Sequence, residues 1–133
     1  MAKLIYAITA DSASLDESTK KVSIIGVFEN MSAPSYPAVQ KDMTIVVRLE
    51  LPEKSKTYKE YFTILGPDNK EVSRNSPVEF VPKSIHHNFL HRIINLSLPE
   101  KGRYTINIYV DDEIVGSGYF DAELLIYNTI NVA

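Results

Sequence analysis

The only histidines of this chain fall close together, at His86, His87 and His91. On a helix, His87 and His91 would share one face at i and i+4, the spacing of a zinc pair. On a strand, at about 3.3 Å per residue, their α-carbons stand roughly 13 Å apart, too far for one ion, and His86 faces the other side. No acidic residue lies between Lys83 and Ser97 to complete a local site. The three are therefore weak metal candidates, and the reading is no metal, with the rings at the surface or at a sheet edge. Two acidic groups, Asp111-Asp112-Glu113 and Asp11 with Asp16 and Glu17, offer oxygen ligands but lack the glycine and ligand order of a calcium loop. They read as a solvated hairpin tip and a solvated loop. Gly116-Ser117-Gly118 lacks the spacing of a nucleophile elbow, and its glycines suit close sheet packing or a bulge. No pair of carboxylates stands out on an apolar face. The sequence thus supplies no catalytic residue and implies no cofactor, and the expectation is that the protein is not an enzyme. Tyr58, Tyr61 and Tyr109, with Tyr36 and Phe62 nearby in type, are the candidates for a binding surface, because tyrosine is enriched at interfaces. Phe62 itself fits a core or cross-strand position better.

The elements that must position these groups are short. Seven prolines and recurrent turn clusters divide 133 residues into segments of the length found in all-β sandwiches and barrels, and no segment sustains a helical period. Strands are expected over 3–9, 21–29, 42–51, 58–65, 71–81 (broken at 75–77), 85–98, 103–110 and 114–121. Residues 21–29 carry apolar side chains on both faces and read as a central strand. In 85–98, Leu90, Ile94, Leu96 and Leu98 share a parity, so the even positions are expected to face inward. Tyr104, Ile106, Ile108 and Val110 alternate with Arg103, Thr105, Asn107 and Tyr109, the cleanest two-residue period in the chain. Gly66-Pro67-Asp68-Asn69 is a turn, and Asp111-Asp112 closes a hairpin because aspartate tolerates left-handed backbone.

The length suits one domain, 1–133, and a hydrophobic fraction of 44% suffices for its core. Residues 122–133 form an apolar C-terminal extension, expected either to add a strand or to dock on another subunit. With a net charge of −3 there is no basic excess, so nucleic acid is not expected as a partner. The absence of cysteine excludes disulfides and thiolate chemistry. The N-terminal apolar run is far below the roughly 20 residues of a membrane helix, so no membrane association and a cytoplasmic location are expected.

Leu98-Pro99-Glu100-Lys101-Gly102-Arg103-Tyr104 resembles the corner of immunoglobulin-like and fibronectin-type sandwiches. That resemblance implies that the Tyr104 hydroxyl bonds backbone near the corner and that Gly102 is structural. Ile106 stands where antibody domains have cysteine, and the chain lacks their tryptophan, so the likeness is to the architecture alone. The order of the segments at 4–11, 21–28, 48–50, 66–69, the corner and the last hairpin resembles an uncharacterised family of small bacterial β-sandwich proteins, which offers no activity to carry over. The expectation is an antiparallel, immunoglobulin-like β-sandwich of about seven to nine strands. Its role would be that of a non-catalytic protein-interaction or structural module, with homodimerisation through an edge strand or the tail as its natural assembly. A small-ligand or carbohydrate-binding domain is the alternative, and a metal-dependent enzyme at the histidines ranks third.

Overall fold

Alternation dominates the chain, and alternating sequences form strands whose two faces meet different surroundings. A computed structural model describes residues 1–126. It contains ten strands and, among the described residues, no helix. One sheet has the order β2-β1-β4-β8, formed by Val22–Val27, Lys3–Leu15, Ala38–Glu50 and His86–Leu98, all antiparallel. The second has the order β3-β10-β9-β5-β6, formed by Asn30–Ala33, Glu113–Leu124, Gly102–Val110, Tyr58–Leu65 and Glu71–Arg74; β7, Val78–Phe80, also pairs with β5. Because β3 runs parallel to β10, this sheet is mixed. The expected strand count and the purely antiparallel arrangement are corrected accordingly. Both differences arise where short edge segments add to the main ladders. The break at 75–77 divides one expected strand into β6 and β7, and Asn75 fills the gap by accepting the Phe62 N–H through its side chain at 2.8 Å.

One apolar cluster joins the sheets. Met43, Ile45, Val47 and Leu49 of β4 pack with Phe62 and Ile64 of β5, Ile106 and Ile108 of β9, and Phe120 of β10. Each such side chain contributes about 1.5–3 kcal/mol on burial. The sheets approach closely where β10 passes β1: a Cβ on Gly116 would lie 2.6 Å from Leu4 Cδ2, and one on Gly118 would lie 3.0 Å from the Ala7 carbonyl oxygen.

Two strand readings are overturned. Among the described residues, strand β2 is an edge, bonded to β1 alone, and its Ile25 and Val27 are 65% and 60% exposed. Apolar residues on both faces suggested a central strand, but Ile25 and Val27 lie on a face that the described residues leave largely open. On β8 the inward residues are odd, not even, up to Ile93: His87, Phe89 and His91 stand opposite Leu49, Val47 and Ile45. Asn95 has φ 56°, and this left-handed residue turns the strand over, so that Ile94 is exposed while Leu96 and Leu98 are buried. The even-parity reading describes only the end of the strand.

The corner and hairpin are locally specified. Tyr104 is fully buried, donates to the Glu100 carbonyl and accepts the Glu100 N–H at 3.3 Å, and its ring stacks on Phe120. Gly102 has φ 134°, and Pro67 occupies the space a Cβ would take. Asp111 and Asp112 both have positive φ, at 50° and 66°, the requirement of a tight hairpin turn. Asp111 is tied to Lys59, whose backbone N–H donates to its carboxylate at 2.9 Å. At the C-terminal end, residues 121–124 pair with β3, and Tyr36 donates its hydroxyl proton to the Glu123 carbonyl at 2.6 Å. The rest of the expected apolar extension, 127–133, lies outside the described residues. No helix among the described residues is long and apolar enough to cross a membrane.

Replacing Tyr104 with Phe keeps the ring and removes the corner bond. It should lower unfolding stability by about 1–2 kcal/mol, read as a shift of the urea midpoint with an unchanged slope.

Candidate functional site

The inward face of β5 carries Tyr58, Glu60, Phe62 and Ile64, so strict alternation delivers a carboxylate into a core position. Glu60 is fully buried. An ionised carboxylate out of water is costly unless it is paired, and the partner comes from β8: His91 Nε2 lies 2.8 Å from Glu60 Oε2. With Glu60 ionised, the ring donates from Nε2. The other oxygen, Oε1, has no partner among the described residues. Aromatic rings enclose the pair. Phe62 and Phe89 lie 5.0 Å and 5.4 Å from His91 between centroids, and Phe80 stacks on His87 at 4.6 Å while meeting Phe89 edge-on at 4.9 Å. His87, Phe89 and His91 thus form one row along β8, with Glu60 facing it from the opposite sheet.

The outer end of that row opens into a cavity of about 420 Å³, within the usual range for small-molecule sites. Its lining comes from segments far apart in sequence. Leu15 and Lys20 belong to the β1–β2 hairpin tip, Arg48 to β4, Val81, Lys83 and Ser84 to the β7–β8 connection, and His86, His87 and Asn88 to the start of β8. Three cationic side chains and two imidazoles therefore converge on a space whose lining, among the described residues, includes no carboxylate. Arg48 is held by a hydrogen bond from its guanidinium to Asn88 Oδ1 at 3.3 Å. Just outside the lining, Glu50 Oε1 lies 3.4 Å from His86 Nε2.

His87 belongs to both regions. Burial pushes its pKa below the ordinary 6.5, and the negative charge of Glu60 offsets part of that shift. The ring is thereby favoured in its neutral form in the folded protein. The protonated ring is easier to form in the unfolded chain, so the stabilisation linked to this group is complete above pH 6.5 and is lost as pH falls from there toward the lower folded pKa.

The structure separates the histidines that sequence spacing grouped together. His86 pairs with Glu50, while His87 and His91 face inward at successive positions of the row with Phe89 between them. Among the described residues, no group of three or more His, Asp or Glu side chains is placed to hold a metal ion. The tyrosine candidates also part company. Tyr58 is a core residue whose hydroxyl donates to the Glu53 carbonyl at 2.9 Å, so it does not belong to a binding surface. Tyr61 and Tyr109 stack at 4.6 Å on the other face of that sheet, with Arg74 above Tyr61, and neither lines the cavity. Sequence reasoning missed Glu60, Arg48, Lys20 and Lys83. For Glu60 the signal was present, a charged residue at an inward position of an otherwise apolar alternation.

A family model matches residues 5–122, nearly the whole of the described chain. The chain belongs to this family of unknown function, DUF6941. No curated protein matches it. Among solved structures, the chain is similar to Pseudomonas fluorescens alkylpurine DNA glycosylase AlkC bound to DNA containing an abasic site analog, with 9% identity and a TM-score of 0.56. The match covers 92% of this chain and 30% of that one, so this chain spans under a third of the neighbour's length and the likeness concerns the fold. The expectation that excluded nucleic acid as a partner is corrected by this finding: a fold of this kind occurs in a DNA-bound protein. The physical reason is that a net charge of −3 is a sum over the chain, and it conceals a local gathering of Arg48, Lys20 and Lys83.

Two outcomes test the buried layer. His91→Ala strips the Glu60 carboxylate of its partner and should cost about 3–5 kcal/mol, whereas Glu60→Leu combined with His91→Leu should recover most of that loss, both read by urea denaturation at pH 7.5. For His87→Phe, the fall in urea midpoint between pH 7.5 and pH 5.5 should be smaller than for the unmodified protein, because the group whose protonation opposes folding has been removed.

Proposed function

We propose that this protein is a non-catalytic binding module for a small anionic ligand, phosphate- or carboxylate-bearing, held in the cavity between the β1–β2 hairpin tip, β4 and the start of β8. The observation that carries the reading is the convergence of Arg48, Lys20 and Lys83 on a concave space with no carboxylate among the described residues of its lining. Arg48 supplies the planar fork that matches a carboxylate or phosphate, and the two lysines supply mobile point charges. Asn88 orients Arg48, and Leu15 and Val81 provide the apolar wall that such sites use to exclude water. The non-catalytic part of the proposal rests on the chemistry of the lining. Among the described residues its only hydroxyl, on Ser84, accepts the His86 backbone N–H at 3.2 Å, and none of them pairs a base with it as a nucleophile would require. The bond between Tyr104 and Glu100 across the corner supports assigning the fold to the immunoglobulin-like kind.

The same cations suit a nucleic-acid phosphate, and the DNA-bound neighbour is the reason to include that ligand in the test. A concave site with apolar walls favours a small ligand over an extended backbone, for which a basic stripe is the expected surface. Titration with inorganic pyrophosphate at pH 7.5, followed by calorimetry, should show binding that weakens at least tenfold in Arg48→Ala and is unaffected by Lys70→Ala, in an exposed turn on the other sheet. A short DNA duplex that binds through Arg48 while pyrophosphate does not would replace the small-ligand reading with a nucleic-acid one.

A further inference from the structure

We propose that anion binding in the cavity is coupled to protonation of His87, so that the site takes up a proton with its ligand and binds more tightly as pH falls. The inference rests on the proposed anion site and adds a mode of regulation to it.

The geometry that supports it is the double membership of His87. Its ring lines the cavity, and it also ends the row that runs through Phe89 to His91 and Glu60. On the inner side, the charge of Glu60 is only partly satisfied: Oε2 bonds His91, and Oε1 is buried without a partner among the described residues. On the outer side lie Arg48, Lys20 and Lys83, and burial at this edge of the core disfavours a charge on the ring. An entering dianion reverses that balance. It neutralises the outer cations and places negative charge beside a ring that already has a buried carboxylate behind it. The proton comes from solvent and is added to the ring as the dianion enters, with no other bond made or broken.

Among the described residues, the titratable and charged groups placed around His87 come from several elements. β5 presents Glu60, with Tyr58 contributing its ring and keeping its hydroxyl on the Glu53 carbonyl. β7 presents Phe80, which stacks on the imidazole. β4 presents Arg48 to the cavity and, opposite His87, the apolar Leu49; its Glu50 is engaged with His86. β8 itself supplies His91, paired with Glu60, and His86; the hairpin tip and the β7–β8 connection supply Lys20 and Lys83. Lysine and arginine side chains ordinarily titrate far above pH 7.5 and histidine below it. His86 is therefore the other cavity group to be separated from His87 by experiment.

Sulfate serves as the probe because it remains a dianion between pH 7.5 and pH 5.5. Calorimetric titration in two buffers of different ionisation enthalpy should show uptake of about one proton per sulfate near pH 7, and affinity rising about tenfold between pH 7.5 and pH 5.5. His86→Gln should retain both effects, and His87→Gln should lose both. Sulfate binding that depends on Arg48 but shows equal proton uptake in His87→Gln and the unmodified protein would overturn the coupling and leave the anion site standing. Failure of both sulfate and pyrophosphate to bind at either pH would overturn the site and the coupling together.

Discussion

A carboxylate withdrawn from water has to be met by a partner, and in this protein the requirement falls on Glu60. The residue sits where strand alternation places it, among Tyr58, Phe62 and Ile64, with no exposed surface. The element that answers it is β8, which brings His91 to 2.8 Å and flanks the pair with Phe89. That answer depends on which side of β8 faces inward, and hence on Asn95, the left-handed residue that lets one strand bury odd positions along most of its length and even positions at its end. The same orientation carries His87 to the edge of the core, where the cavity begins. Core pairing and cavity chemistry are thus two results of one strand's facing.

Much of the fold was legible in the sequence, and the legible parts are those that local rules determine. Strands β5 and β9 follow from two-residue alternation, and the turn at Asp111 and Asp112 follows from the tolerance of aspartate for positive φ. The Glu100 to Tyr104 corner is equally local, its bonded partners only four residues apart. β8 was misread because the aliphatic residues at Leu90, Ile94, Leu96 and Leu98 outweighed two histidines and a phenylalanine at odd positions, and alternation carries no warning that a strand will turn over. β2 was misread because apolar content records what a strand could bury and not whether a neighbour arrives to cover it.

The candidate site was less legible, for a different reason. Its cations come from residues 20, 48 and 83, and only the closure of the hairpin tip and the β7–β8 connection over one end of the first sheet makes them neighbours. Whole-chain charge pointed away from any basic feature. The family match and the likeness to part of a DNA-bound glycosylase place the fold among known ones. At 9% identity, the chemistry has to be argued from the side chains of this chain, and the cavity, the Glu60–His91 pair and the ring of His87 are where that argument has material.

The parallel pairing of β3 with the last residues of β10 carries a practical meaning for anyone who handles this protein. Among the described residues, strand β3 has no other neighbour in its sheet, and Tyr36, just beyond it, is tied to Glu123. Trimming the chain at residue 121 would therefore remove three of the four β10 residues that hold β3 and leave β3 bare for another chain to occupy. The segment that leads from β3 into β4, at the centre of the other sheet, would lose its anchor as well. A truncation that keeps β3 in its sheet has to retain the chain through residue 124.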